Sequence, residues 1–126
     1  MGAVLLIDDN PIQLMIRESI LRGAGFSVQV ATSAESATAA LRSLGSKVSV
    51  IVTDHVMPGT TGADFVRKLR AEHNWVSVIV LSGMPEAAPE YDHLQVTFRE
   101  KPLLPPELIE LVRSAIEMGN NQRGAA

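Results

Sequence analysis

The chain has no cysteine, which excludes disulfides, thiolate metal sites and a cysteine nucleophile and suits a reducing compartment. It has no basic patch, and its net charge is -3, so direct nucleic-acid binding is not expected. No apolar run approaches membrane-spanning length, and the start lacks the basic residues and long apolar core of a signal peptide. A cytoplasmic protein with no membrane partner is therefore expected. Aromatic residues are few, and the single Trp75 and Tyr91 are read as covers for sheet edges. No linker composition is visible. What is present, 126 residues with 46% hydrophobic and 20% charged, fits one globular domain able to bury about two-thirds of its unfolded surface.

The organisation repeats as short apolar run, turn and amphipathic stretch. Ala3 to Ile7 stops on Asp8, Asp9, Asn10 and Pro11, where Asn10 can cap a helix that takes the proline at its first position. Ile12, Met15, Ile16 and Ile20 recur at helical spacing, and Met15 is read as a core residue. Val28 to Ala31 is the second run. Ser33 caps a second helix striped with Ala34, Ala37, Leu41 and Leu44. Val48 to Val52 is a charge-free, β-branched segment of the kind buried on both faces of a parallel sheet, and Asp54 follows it. Thr61 caps a third helix to about Glu72. Val76 to Leu81 ends on Ser82 and Gly83. Pro85 and Pro89 then leave room for a turn or two of helix at most. Leu94 to Arg99 ends on Glu100, Lys101 and Pro102, and Pro105 and Pro106 open the last helix. Residues 119–126 are read as a flexible tail, leaving 1–118 as the domain.

Strands alternating with helices call for an α/β fold of three layers around a parallel sheet. In such a sheet all strand tips share one edge, so Asp8, Asp9, Asp54, Ser82 and Lys101 converge although they come from separate stretches. Two carboxylates about 4 Å apart repel by about 4 kcal/mol at the effective dielectric of a protein surface, so a cation belongs among them. With oxygen ligands only, that cation is hard and octahedral: Mg2+, or Mn2+ in its place. Lys101 adds a second positive charge. A carboxylate flanked by a divalent ion, an ammonium and a hydroxyl is suited to attack a phosphoryl group.

These residues, in this order and spacing, resemble the receiver domain of two-component response regulators, over Val4 to about Met118. The resemblance implies a five-stranded parallel sheet of flavodoxin-like order 2-1-3-4-5. It implies that Asp54 is the phosphoacceptor, receiving its phosphoryl group from a histidine kinase or histidine phosphotransfer protein in a phosphorelay. Asp9, Asp54 and the backbone carbonyl of Val56 would hold the magnesium, with Asp8 acting through water. Lys101 would pair with one phosphoryl oxygen and Ser82 with another, and the Lys101–Pro102 bond would be cis. Phosphorylation would draw Ser82 toward Asp54 and let Phe98 turn inward, altering a face made of the fourth crossover, fifth strand and last helix, through which an output partner or a second copy would bind. Phe98 has no hydroxyl, so that change is read through shape and apolar surface.

Two positions depart from what a short-lived phosphoryl group needs. Side chains two residues after the acceptor and two after Ser82 are placed to hold a hydrolytic water, and here they are Val56 and Met84. A long-lived phosphoryl group is expected. A metal-dependent phosphatase would want an acid at Val56, and a flavin module would want a phosphate-cradling loop where Asp8 and Asp9 stand. The remaining alternative is a non-phosphorylated pseudo-receiver acting as an interaction module. His55, His73 and His93 have no ligand spacing and are read as surface or edge residues.

Overall fold

The computed structural model describes residues 2–124, with side chains described for residues 2–119. The element order is β1 (Ala3–Ile7), α1 (Pro11–Gly23), β2 (Val28–Ala31), α2 (Ala34–Leu44), β3 (Val48–Asp54), β4 (Val56–Met57), β5 (Thr60–Thr61), α3 (Gly62–Ala71), β6 (Ser77–Ser82), β7 (Thr97–Glu100) and α4 (Pro105–Gly124). Short 3-10 turns fill Gly45–Lys47 and Pro85–Tyr91. Five strands form one parallel sheet of order β2-β1-β3-β6-β7, the flavodoxin-like arrangement.

Alternation along the strands divides the core into two layers. Leu5, Ile7, Ile51, Val78 and Val80 face α2 and α3, whereas Val4, Leu6, Val50, Val52, Ile79 and Leu81 face α1 and α4. All seven residues of β3 are buried, as a central strand covered on both faces requires. The helix starts follow local chemistry. The Asn10 side chain accepts from the backbone N–H groups of Ile12 and Gln13, Ser33 forms a reciprocal box with Ser36, and Thr61 accepts from Asp64 N.

Several features differ from the sequence reading. The two-residue strands β4 and β5 pair antiparallel around Gly59, whose φ of 74° suits a residue without a Cβ. Helix α4 continues as far as Gly124, beyond Met118, and Ala125 and Ala126 lie outside the described residues. The fourth crossover, by contrast, is short as its prolines led one to expect, and is 3-10 throughout Pro85–Tyr91. In α1 the inward face carries Leu14, Arg17 and Leu21, so Met15 is not in the core: Ile12, Met15 and Ile16 are 64%, 62% and 52% exposed. Tyr91 does not cover an edge but lies in the α3-side core, 5.6 Å from the Phe98 ring.

Arg70 is the main polar tie inside the fold. It is buried at the end of α3, where its Nε donates to Leu94 O (2.8 Å), Nη1 to Asn74 O and Val76 O (both 2.9 Å), and Nη2 to Gln95 O (3.2 Å). The guanidinium also stacks 5.1 Å from the exposed Trp75 ring. One side chain thus fastens the segments that lead into β6 and β7. Desolvation pushes its pKa below the usual arginine range.

Candidate functional site

The site is built at the C-terminal tips of β1, β3 and β6 and just beyond β7. Parallel pairing sets Ile7 beside Thr53 and Asp54 beside Leu81, so residues that end or follow these strands emerge together. A cleft of about 260 Å³ is lined by Asp8, Asp9, Asp54, Val56, Ser82, Met84 and Lys101, among others. Carboxylate oxygens of Asp8, Asp9 and Asp54 lie within 4.8 Å of one another. That donor set, all oxygen and all anionic, fits a hard divalent cation such as magnesium. Gly62 permits the close packing behind Asp54, because a Cβ there would sit 2.9 Å from the Asp54 carbonyl oxygen and 2.6 Å from the Tyr91 hydroxyl.

Cations answer the acidic cluster in the protein itself. Lys101 Nζ stands 2.8 Å from Asp54 Oδ1, just before the cis Lys101–Pro102 peptide. Arg17 Nη1 lies 2.8 Å from Asp8 Oδ2 and 3.1 Å from the same Asp54 Oδ1. Ser82 is buried, and its Oγ accepts from the Met84 N–H at 2.9 Å. Val56 and Met84 stand at the mouth, 60% and 43% exposed. Phe98 is half-buried on β7, beside Tyr91.

A sequence model of the response regulator receiver domain matches residues 4–113 of this chain. The chain belongs to the response regulator receiver family. This receiver domain is 34% identical over 87 residues to the sensor kinase CckA of Brucella abortus, covering 69% of the chain and 9% of that protein. It is 27% identical over 122 residues to the DNA-binding response regulator MtrA of Mycolicibacterium smegmatis, covering 94% of the chain and 52% of the relative. The chain therefore spans about half or less of the length of these relatives. Among solved structures, a response regulator receiver protein from Pseudomonas putida superposes with a TM-score of 0.80 at 29% identity, covering 90% of this chain and 96% of that one.

Two parts of the receiver site were not evident from the sequence. Arg17 sits in a helix whose apolar stripe points elsewhere, and only its i,i+4 spacing from Gln13, to which its Nη2 donates at 3.4 Å, marks the inward polar face. His55 is not a surface residue: it is buried, its Nδ1 lies 2.6 Å from the Tyr91 hydroxyl, and its Nε2 lies 3.5 Å from Glu90. The residue after Asp54 is thereby joined to the 3-10 crossover and, through Tyr91, to Phe98. Burial pushes the Tyr91 phenol well above its ordinary pKa, which keeps it a neutral partner.

Asp8 has no exposed surface, and desolvation, followed by its bond to Asp54, raises its pKa from 3.8 to about 6. The folded state thus holds this proton more tightly than the unfolded chain does, so its contribution to stability is present below about pH 4 and lost as pH rises through 6. In metal-free solution Asp8→Asn is expected to be as stable as the parent near pH 4 and more stable by roughly 2 kcal/mol at pH 7. Urea midpoints across that range test this, and a gain independent of pH would count against it.

Proposed function

We propose that Asp54 is the phosphoacceptor of a phosphorelay, loaded by a histidine kinase or histidine phosphotransfer protein. The observation that carries this reading is the placement of Asp54 Oδ1, held by Lys101 at 2.8 Å within an acidic cleft whose donor set fits magnesium. In the transfer, an Asp54 carboxylate oxygen attacks the phosphorus of the donor's phosphohistidine, the P–N bond breaks, and the imidazole leaves with the bonding pair. Lys101 holds a transferring oxygen, and Ser82, which here satisfies the Met84 N–H, exchanges that bond for one to the phosphoryl group. Asp9, Asp54 and the Val56 carbonyl would hold magnesium directly and Asp8 through water, and the ion when bound supplies charge neutralisation on the phosphoryl oxygens.

Ile12, Met15 and Ile16 are exposed on α1, the helix that begins just after Asp8 and Asp9, and offer apolar ground to a donor protein. Output is assigned to the face formed by Pro85–Tyr91, β7 and α4. The path to it runs from Asp54 through the neighbouring His55 to Tyr91 and Phe98. Phosphorylation adds charge at one end of this packed chain, and the change of shape is read at the other.

Incubation with magnesium and a small phosphodonor such as acetyl phosphate tests the acceptor. Intact mass is expected to show a single phosphate adduct that is absent in Asp54→Ala. Failure of the parent to form an adduct, with a folded spectrum, would leave a protein-interaction module as the surviving description.

A further inference from the structure

We propose that Arg17 is a built-in counter-ion that holds the place between Asp8 and Asp54 until a divalent cation enters, and that it sets how tightly the unphosphorylated domain binds that cation. The inference deepens the acceptor reading above and rests on it. A single guanidinium nitrogen, Nη1, bonds carboxylate oxygens of both Asp8 and Asp54, which are two of the three acids clustered within 4.8 Å. Asp54 Oδ1 is shared by this nitrogen and by Lys101 Nζ. Magnesium needs its oxygen ligands at about 2.0–2.1 Å in a nearly octahedral shell, and its charge repels a guanidinium held on the same acids, so the ion and Arg17 compete for them. One has to yield.

The arginine is placed for this role and has somewhere to go. Its side chain is only 13% exposed, with Nη2 donating to Gln13 Oε1, the same oxygen that Lys101 Nζ approaches at 3.5 Å. A second cleft of about 420 Å³ opens beside it, lined by Ile16, Ile20, Leu81, Pro102 and Leu103, and Arg17 itself forms part of its wall. A guanidinium leaving the carboxylates enters this space with its stem on apolar surface.

Charge supplies the reason for the arrangement. Three ionised carboxylates against Arg17 and Lys101 leave the site one unit negative. Adding a divalent ion while Arg17 stays in place would turn it one unit positive, an unfavourable excess in a half-buried site, whereas release of Arg17 brings the site with the ion to neutrality. The divalent ion therefore enters at the cost of displacing Arg17, and is held more weakly than it would be without that cation.

Titration calorimetry with magnesium chloride at pH 8, comparing parent and Arg17→Met, tests the proposal. The variant is expected to bind magnesium about tenfold more tightly or better, since a repelling cation has been removed. Equal or weaker binding in the variant overturns it. Should the variant not fold, the parent still answers: the Arg17 Nε–Hε NMR signal is expected to shift along the magnesium binding curve, and an unmoved signal overturns the proposal. Intact mass after phosphodonor treatment separates the two levels of inference. An Asp54 adduct together with unchanged magnesium affinity removes only the role of Arg17, whereas no adduct in parent and variant alike removes the acceptor reading itself.

Discussion

Arg70→Met is expected to lower the unfolding free energy by about 3–5 kcal/mol, the largest loss from any single side chain considered. Its guanidinium satisfies four backbone carbonyls, those of Asn74, Val76, Leu94 and Gln95, in a place only 8% exposed. Hydrogen bonds from a charged donor contribute more than neutral ones, and buried acceptors left without a donor carry their full desolvation cost. Two residues of the loop it holds, His93 and Gln95, have left-handed backbone with φ of 67° and 56°, a conformation that a side-chain-bearing residue keeps only when its surroundings impose it. Arg70→Lys should recover little, because one ammonium cannot span a fork of carbonyls. Urea denaturation gives the answer directly. A loss below about 1 kcal/mol for the methionine variant would show that water replaces the guanidinium without difficulty.

The second large effect concerns time. Converting Val56 to Asn and Met84 to Glu is expected to shorten the lifetime of the phosphorylated protein roughly tenfold or more. Both side chains stand at the mouth of the cleft, and neither can hold a water in line with the acyl phosphate. An amide and a carboxylate at these places supply the missing acceptors and donors. The decay of radiolabelled or mass-detected phosphoprotein, followed after removal of the donor, is the measurement. Equal lifetimes in parent and double variant would mean that hydrolysis is limited by something other than water placement.

How much of this was legible in the sequence depended on the range of the signal. Buried strands announce themselves locally, through runs such as Val48 to Val52, and caps such as Ser33 and Thr61 announce themselves within three residues. Asp8, Asp9, Asp54, Ser82 and Lys101 could be gathered because strand order alone brings their backbones to one edge. The receiver resemblance covers that same framework, and the family match over residues 4–113 supports it. What escaped was set by distant partners. The apolar stripe of α1 pointed to Ile12, Met15 and Ile16, yet the helix is turned so that Arg17 meets acids 9 and 37 residues away. His55 reads as a surface or edge residue because its partner, Tyr91, is 36 positions distant. Arg70 gave no signal in the sequence, because the acceptors that bury it are carbonyls, which leave no trace in a list of side chains.

The brevity of β7 has a further effect, on behaviour at high concentration. It is an edge strand of only four residues, flanked by a 3-10 crossover that offers no full helix to shield it. An uncovered edge invites pairing with a second sheet, the first step toward aggregates. Here Arg99 and Glu100 project charge from the exposed end of the strand, and Pro102, which has no N–H to donate, cuts the ladder short. The same short strand that carries Phe98 thus serves as its own gatekeeper against fibril-like stacking.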